Sequence, residues 1–193
     1  MPRMYRNLDA ATAASTPPAE REQLIREIEA HLRFSCEDGV PLDKMCLEWA
    51  IASVSVLMRH GIRAVLQAGS MQWRFRDRPA PEATHFSFMW QPDHIASRLR
   101  REMGDLMEVH IWAAIPDRLE ILDATTRYFK GRCEKELGMA WERVDPPRFL
   151  WATVDELKGM AGKTSDVRYD ASRDAIEYIY RLMTDSPQTL KEA

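Results

Sequence analysis

Cysteine is scarce in this chain of 193 residues: there are three, Cys36, Cys46 and Cys133, at irregular spacing. An odd number spaced in this way does not build a disulfide framework. Charge of one sign is lacking as well. Lys and Arg total 27 against 30 Asp and Glu, a net charge of −3, which gives no electrostatic argument for nucleic acid or for a membrane surface. Long apolar runs are missing too. The opening MPRMYRNLDAATAAS has no apolar core of the signal-peptide kind, and no later segment reaches the roughly 20 apolar residues that span a bilayer. A cytoplasmic location is the expectation. Repeats and low-complexity tracts are absent. What is present, 45% hydrophobic and 30% charged residues, is ordinary for one globular domain with a real core.

The least polar stretch runs from Gly39 to Gly61, GVPLDKMCLEWAIASVSVLMRHG. After Asp43 only Glu48, Ser53 and Ser55 interrupt the apolar residues before Arg59. A helix apolar almost all round is expected to be buried almost all round. Asp43 is the expected N-cap and Gly61 the expected left-handed C-terminal residue. With that N-cap, Cys46 falls at the third helical position. There the free backbone N–H groups and the helix dipole favour an anion, and so a thiolate. Taken alone, a lone cysteine on such a helix is more often a small buried hydrophobe.

The rest of the chain arranges itself around this helix. Residues 1–15 read as a loose polar arm, 16–184 as one domain with its core in 39–126, and 185–193 as a tail. Thr16 and Pro17 open a helix to about Phe34, with Leu24, Ile25, Ile28 and Leu32 on one face. After Gly61 the period changes. Ile62–Leu66 and Met71–Arg76 read as two strand segments around a bend at Gly69–Ser70. Thr84–Trp90 is a further strand with Phe86 and Phe88 on one face. Leu106–Ala114 and Arg118–Ala124 read as a hairpin around Ile115–Pro116–Asp117. Arg98, Arg100 and Arg101 lie in an excursion between these strands, as a solvated face. Thr153 or Asp155 opens a short helix to Met160, and Val167–Met183 reads as a final helix. The plan is α+β, an antiparallel sheet packed on the buried helix.

Two hairpin residues carry chemistry. Counting outward from a turn at Pro116–Asp117 sets His110 opposite Asp123, where cross-strand side chains on one face meet. A carboxylate bonded to an imidazole fixes its tautomer and favours the imidazolium, which in turn supports a thiolate. Cys46, His110 and Asp123 therefore have the types needed for nucleophile, base and orienter. The same three residues are also possible metal ligands. That reading ranks last, because no second Cys or His is paired at ligand spacing.

At these residues the chain resembles the transglutaminase-like superfamily. Cys46-Leu-Glu-Trp49 is similar to its nucleophile motif, His110-Ile-Trp112 to its H-x-W, and Asp123-Ala-Thr125 to its D-x-T. Ala124 stands where that family often has proline. The resemblance implies a papain-like fold and thioester chemistry, with Cys46 as nucleophile, His110 as base and acid, and Asp123 as orienter, without cofactor or metal. It further implies amide hydrolysis, peptidase or acyl-transfer activity on a protein, peptide or small amide. Gln67, Gln72 and Trp73 are candidates for a second oxyanion donor beside the Cys46 backbone N–H. Trp112 is a candidate pocket wall and His85 a rim residue. The competing reading is a catalytically silent module of the same family that binds a partner protein through an exposed basic strand, Trp73–Arg76.

Overall fold

The computed structural model describes residues 15–35, 45–77, 82–91, 109–161 and 167–185. The first helix, α1 (Pro18–Ser35), starts one residue later than expected. Leu24, Ile25, Ile28 and Leu32 are its buried face and pack against α2 (Cys46–Arg59). The expected N-cap Asp43 and the loop containing Cys36 lie outside the described residues. The segment in front of α1 is anchored by chemistry rather than by apolar contact. Thr16 donates its backbone N–H and its hydroxyl to the two oxygens of Glu120, which also accepts from Arg21 and from the indole of Trp151. Glu120 is a fully buried carboxylate. These donors hold it ionised against the cost of burial, and its pKa is lowered.

Helix α2 is less enclosed than its composition suggests. Leu47, Trp49, Ala50, Ala52, Ser53, Val56 and Leu57 are buried, whereas Ile51 and Met58, seven positions apart, face solvent at 38% and 59% exposure. Two turns of helix separate this pair, so one stripe of α2 is uncovered. The Ser53 hydroxyl bonds back to the Trp49 carbonyl, so a buried hydroxyl is satisfied within the helix. The helix closes as expected: Gly61 has φ +72°, with Gly61 N–H donating to Met58 O and Ile62 N–H to Leu57 O. That pair of bonds is a Schellman motif, and the buried Leu57 and Ile62 belong to the same cluster.

The sheet is antiparallel, with the order β2–β1–β3–β4–β5 and β6 also on β1. Its strands are β1 (Val65–Arg74), β2 (His85–Phe88), β3 (His110–Ile115), β4 (Glu120–Asp123), β5 (Leu150–Thr153) and β6 (Val167–Ala171). The two segments expected around Gly69 are one continuous strand. Glycine is needed there for another reason: a Cβ at Gly69 would lie 2.0 Å from the Asp170 carbonyl oxygen. At this residue one edge of β1 changes partner. Residues 65–69 pair with β3 and residues 69–73 with β6, while β2 takes the opposite edge at 71–74. Trp73–Arg76 is thus not an exposed basic strand. Trp73 and Phe75 are buried, Arg74 pairs with Asp77, and Arg76 is ion-paired with Glu82 and donates to the Ala83 carbonyl.

Helices cover both faces. One face packs on α1 and α2, and near the start of α2 also on α5 (Arg173–Asp185) through Ala175 and Ile179. The other face carries Met71, Trp73, Phe86, Phe88, Trp112 and Ile121 against Phe129 and Cys133 of α3 (Phe129–Leu137). Cys133 is a buried thiol whose pKa burial pushes up. The short helix α4 (Val154–Ala161) follows a reciprocal cap in which Thr153 Oγ1 accepts from Glu156 N–H and the Glu156 carboxylate accepts from Thr153 N–H. The stretch read as one helix from Val167 divides into β6 and α5. Ser172 alone lies between them, and its hydroxyl accepts from Ala175 N–H as the N-cap of α5.

Candidate active site

Cys46 is the first residue of α2. Met45 flanks it, and the helix's first backbone bond runs from Trp49 N–H to Met45 O. The expected third position is thereby corrected to the first, because the chain turns helical later than Asp43 would dictate. Cys46 still stands at the helix end, where the first-turn N–H groups lack partners inside the helix. Cys46 is half-buried and packs beside a cluster that contains Leu47, Ala50, Ala68 and Ile111.

His110 opens β3 and Asp123 closes β4. The observed register pairs Ala113 with Leu122 and Ile115 with Glu120. Extended outward, it sets Asp123 across from Trp112, so His110 and Asp123 are diagonal neighbours rather than directly opposed. The turn is wider than a count from Pro116–Asp117 allows. A 3-10 turn over Pro116–Arg118 is followed by Leu119 in the left-handed region at φ 51°. The error is two residues, and side chains alternate with period two, so both groups stay on one face. His110 Nε2 lies 2.7 Å from Asp123 Oδ2, and both side chains are buried.

The carboxylate is saturated. Oδ1 accepts the backbone N–H of Thr125 at 2.8 Å and its hydroxyl at 2.6 Å, a local loop in which the side chain bonds two residues ahead. This is what the threonine of Asp-Ala-Thr does. Oδ2 accepts from His110 and from the Tyr169 hydroxyl at 2.6 Å. Burial pushes Asp123 toward its neutral form, but the charge of His110 and these donors outweigh it, and its pKa is lowered. Tyr169, on β6, is shifted the other way. Burial and the adjacent carboxylate raise its pKa well above the usual 10, so it remains a neutral donor.

His110 sits among aromatic rings. Phe88 stacks on it at 5.0 Å and Trp112 at 6.0 Å, both nearly parallel, while Phe129 meets it edge-on at 5.6 Å. Burial disfavours the imidazolium. The charge and hydrogen bond of Asp123, with a smaller contribution from Cys46, exceed that penalty and push the ring pKa up to about 9. Cys46 is thus close enough to the ring to add to this rise. With Nε2 held by Asp123, Nδ1 is the nitrogen left for the sulfur. Nδ1 is buried and has no hydrogen-bond partner.

The other candidates divide by face. Gln67 is buried and pairs across from Trp112 on the His110 face. Trp112 stacks on His110 and meets the Tyr169 ring edge-on at 5.2 Å. Trp73 belongs to the core of that face, against Phe129. Gln72 points to the opposite face and bonds to the Met89 sulfur. His85 also points away from His110, with Nδ1 2.9 Å from the Thr84 hydroxyl. Residues Arg98, Arg100 and Arg101 lie outside the described residues. Tyr169 was not among the sequence candidates. Its signal is the alternation Val-Arg-Tyr-Asp-Ala, which has the period of a strand. Among the described residues no three His, Cys, Asp or Glu side chains converge as metal ligands would, and no helix is long and apolar enough to cross a membrane.

No family model matches the chain, and no curated protein matches it. Its backbone is similar to that of a genomics crystal structure, at 14% identity and a TM-score of 0.48, over 91% of this chain and 74% of that one. A likeness of that size fixes neither family nor chemistry.

Proposed function

We propose that the protein performs cysteine-dependent acyl chemistry on an amide or ester, within a papain-like, transglutaminase-like fold. One observation carries the reading: a buried imidazole is held at one nitrogen by an ionised carboxylate, and a cysteine at a helix N-terminus stands close enough to raise its pKa further. The carboxylate's charge is what keeps a proton on a ring that burial alone would strip. The ring's positive charge then favours a thiolate beside it.

The Cys46 thiolate attacks the substrate carbonyl carbon, and the carbonyl π pair moves to oxygen. The helix-terminal N–H of Cys46 donates a hydrogen bond to that oxygen. The intermediate collapses with cleavage of the bond to the leaving group, which takes the proton from His110 and departs as amine or alcohol. A thioester to Cys46 remains. Water or an acceptor amine, giving its proton to His110, attacks the thioester and releases the acid or the new amide with the thiolate restored. Protein, peptide and small-amide substrates all satisfy this scheme.

The test is alkylation of Cys46 by iodoacetamide across pH. The expected result is a rate that stays high below neutral pH and falls at least tenfold at pH 6 in His110→Gln. A thiol that loses reactivity as a free cysteine does, around a pKa of about 8.5, and is indifferent to position 110 would overturn the reading.

A further inference from the structure

Asp123 receives two donors on a single oxygen, and only one of them belongs to the constellation described so far. Oδ2 accepts His110 Nε2 at 2.7 Å and the Tyr169 hydroxyl at 2.6 Å. Oδ1 is already filled by Thr125. The tyrosine arrives from β6, a strand far along the chain from the His–Asp hairpin, and its position is set by backbone pairing: Tyr169 lies across from Met71 on β1. Its ring is wedged edge-on against Trp112 and tilted against His110 at 6.0 Å. The hydroxyl is thus aimed by a strand and by two ring contacts, rather than by a free side-chain rotamer.

We propose that Tyr169 is a positioning residue of this site, one that holds Oδ2 and shares its negative charge so that the imidazolium is not gripped too tightly to give up its proton. An oxygen that accepts two short hydrogen bonds donates less electron density to each, and in a buried site neither effect is screened by water. The scheme above asks His110 both to keep a proton and to release it to a leaving group. Asp123 supplies the first property, and Tyr169 moderates it to allow the second. The geometry also fixes the direction of the effect. Without the hydroxyl, Oδ2 serves His110 alone, and the ring should hold its proton to higher pH.

The inference rests on the proposed acyl chemistry for its catalytic meaning, but its physical content can be read on its own. The experiment is an NMR pH titration of the His110 ring in full-length protein, wild type against Tyr169→Phe. Phenylalanine keeps the ring contacts and removes only the donor. The His110 midpoint is expected to rise by at least half a pH unit, with the alkaline limb of Cys46 alkylation moving in the same direction. In an Asp123→Asn background the same substitution should move the midpoint by less than half as much, because the two effects act through one oxygen. A midpoint that is unchanged or lower in Tyr169→Phe, whether or not the melting temperature falls, would assign Tyr169 a merely structural role and overturn the proposal. Should the Asn background fail to fold, the comparison of wild type with Tyr169→Phe still decides. Failure of the acyl-chemistry reading looks different, since Cys46 would then be unreactive while the shift of the His110 midpoint remained.

Discussion

At the scale of single residues the site is a chain of acceptors and donors in which each member limits the next. Asp123 accepts four hydrogen bonds and is left with no unsatisfied oxygen. Removing any one donor leaves a buried charge less well held. Thr125→Val keeps the branched shape and the backbone N–H but deletes the hydroxyl at Oδ1. The expected cost is about 1–3 kcal/mol, as for other hydrogen bonds to a buried charge, read from the urea midpoint, with a smaller loss of Cys46 reactivity. Asp123→Ala goes further, removing the ring's main partner. Alkylation of Cys46 below pH 7 should fall toward the free-thiol rate, and circular dichroism should report a fold still present. If the variant unfolds while Cys46 in the remaining folded fraction reacts as before, the carboxylate has no orienting role.

At the scale of elements, two glycines with different duties make opposite predictions about cause. Gly61 adopts φ +72° with open space around any added Cβ. Gly61→Ala should therefore cost only the backbone strain of a left-handed alanine, about 1 kcal/mol, and leave Cys46 chemistry alone. Gly69 is crowded instead, and an alanine there would force β6 away from β1. Loss of more than about 2 kcal/mol is expected, together with the changes in Cys46 reactivity expected of Tyr169→Phe, because β6 carries that side chain. Denaturation and alkylation of the same two variants check both statements. Gly69 also marks where the sequence was hard to read. A glycine between two apolar segments signals a bend from local pattern alone, whereas its real constraint comes from a strand some hundred residues later. The two core helices, the strands on either side of Pro116 and the pairing of His110 with Asp123 were legible, since each announces itself within its own ten or fifteen residues. Strand β6 was not. Five residues joined by Ser172 directly to a helix of stronger periodicity are absorbed into that helix, and Tyr169 was hidden with them. The N-cap of α2 was misplaced because Asp43 is a good cap by type, a local preference the longer-range packing of Met45 overrides.

For the whole molecule the buried pair makes stability a function of pH, with a sign that can be worked out. The folded pKa of His110 is raised from 6.5 to about 9, so its contribution is complete below about pH 6.5 and is lost as pH climbs through about 9. Asp123 is lowered from 3.8, so its contribution is complete above that value and is lost as pH falls through its folded pKa. A plateau between about pH 4 and 6.5 is expected, followed by a decline toward pH 9 of no more than about 3 kcal/mol. Thermal melts across that range should show the decline in wild type and a flatter curve in His110→Gln. The exchange of partners along one edge of β1 has a temporal consequence as well. During synthesis the helix bearing the sulfur, and the hairpin bearing ring and acid, leave the ribosome well before the tyrosine strand does. Cys46, His110 and Asp123 thus leave the ribosome before Tyr169, and the fourth hydrogen bond to Asp123 forms only once β6 has paired with β1.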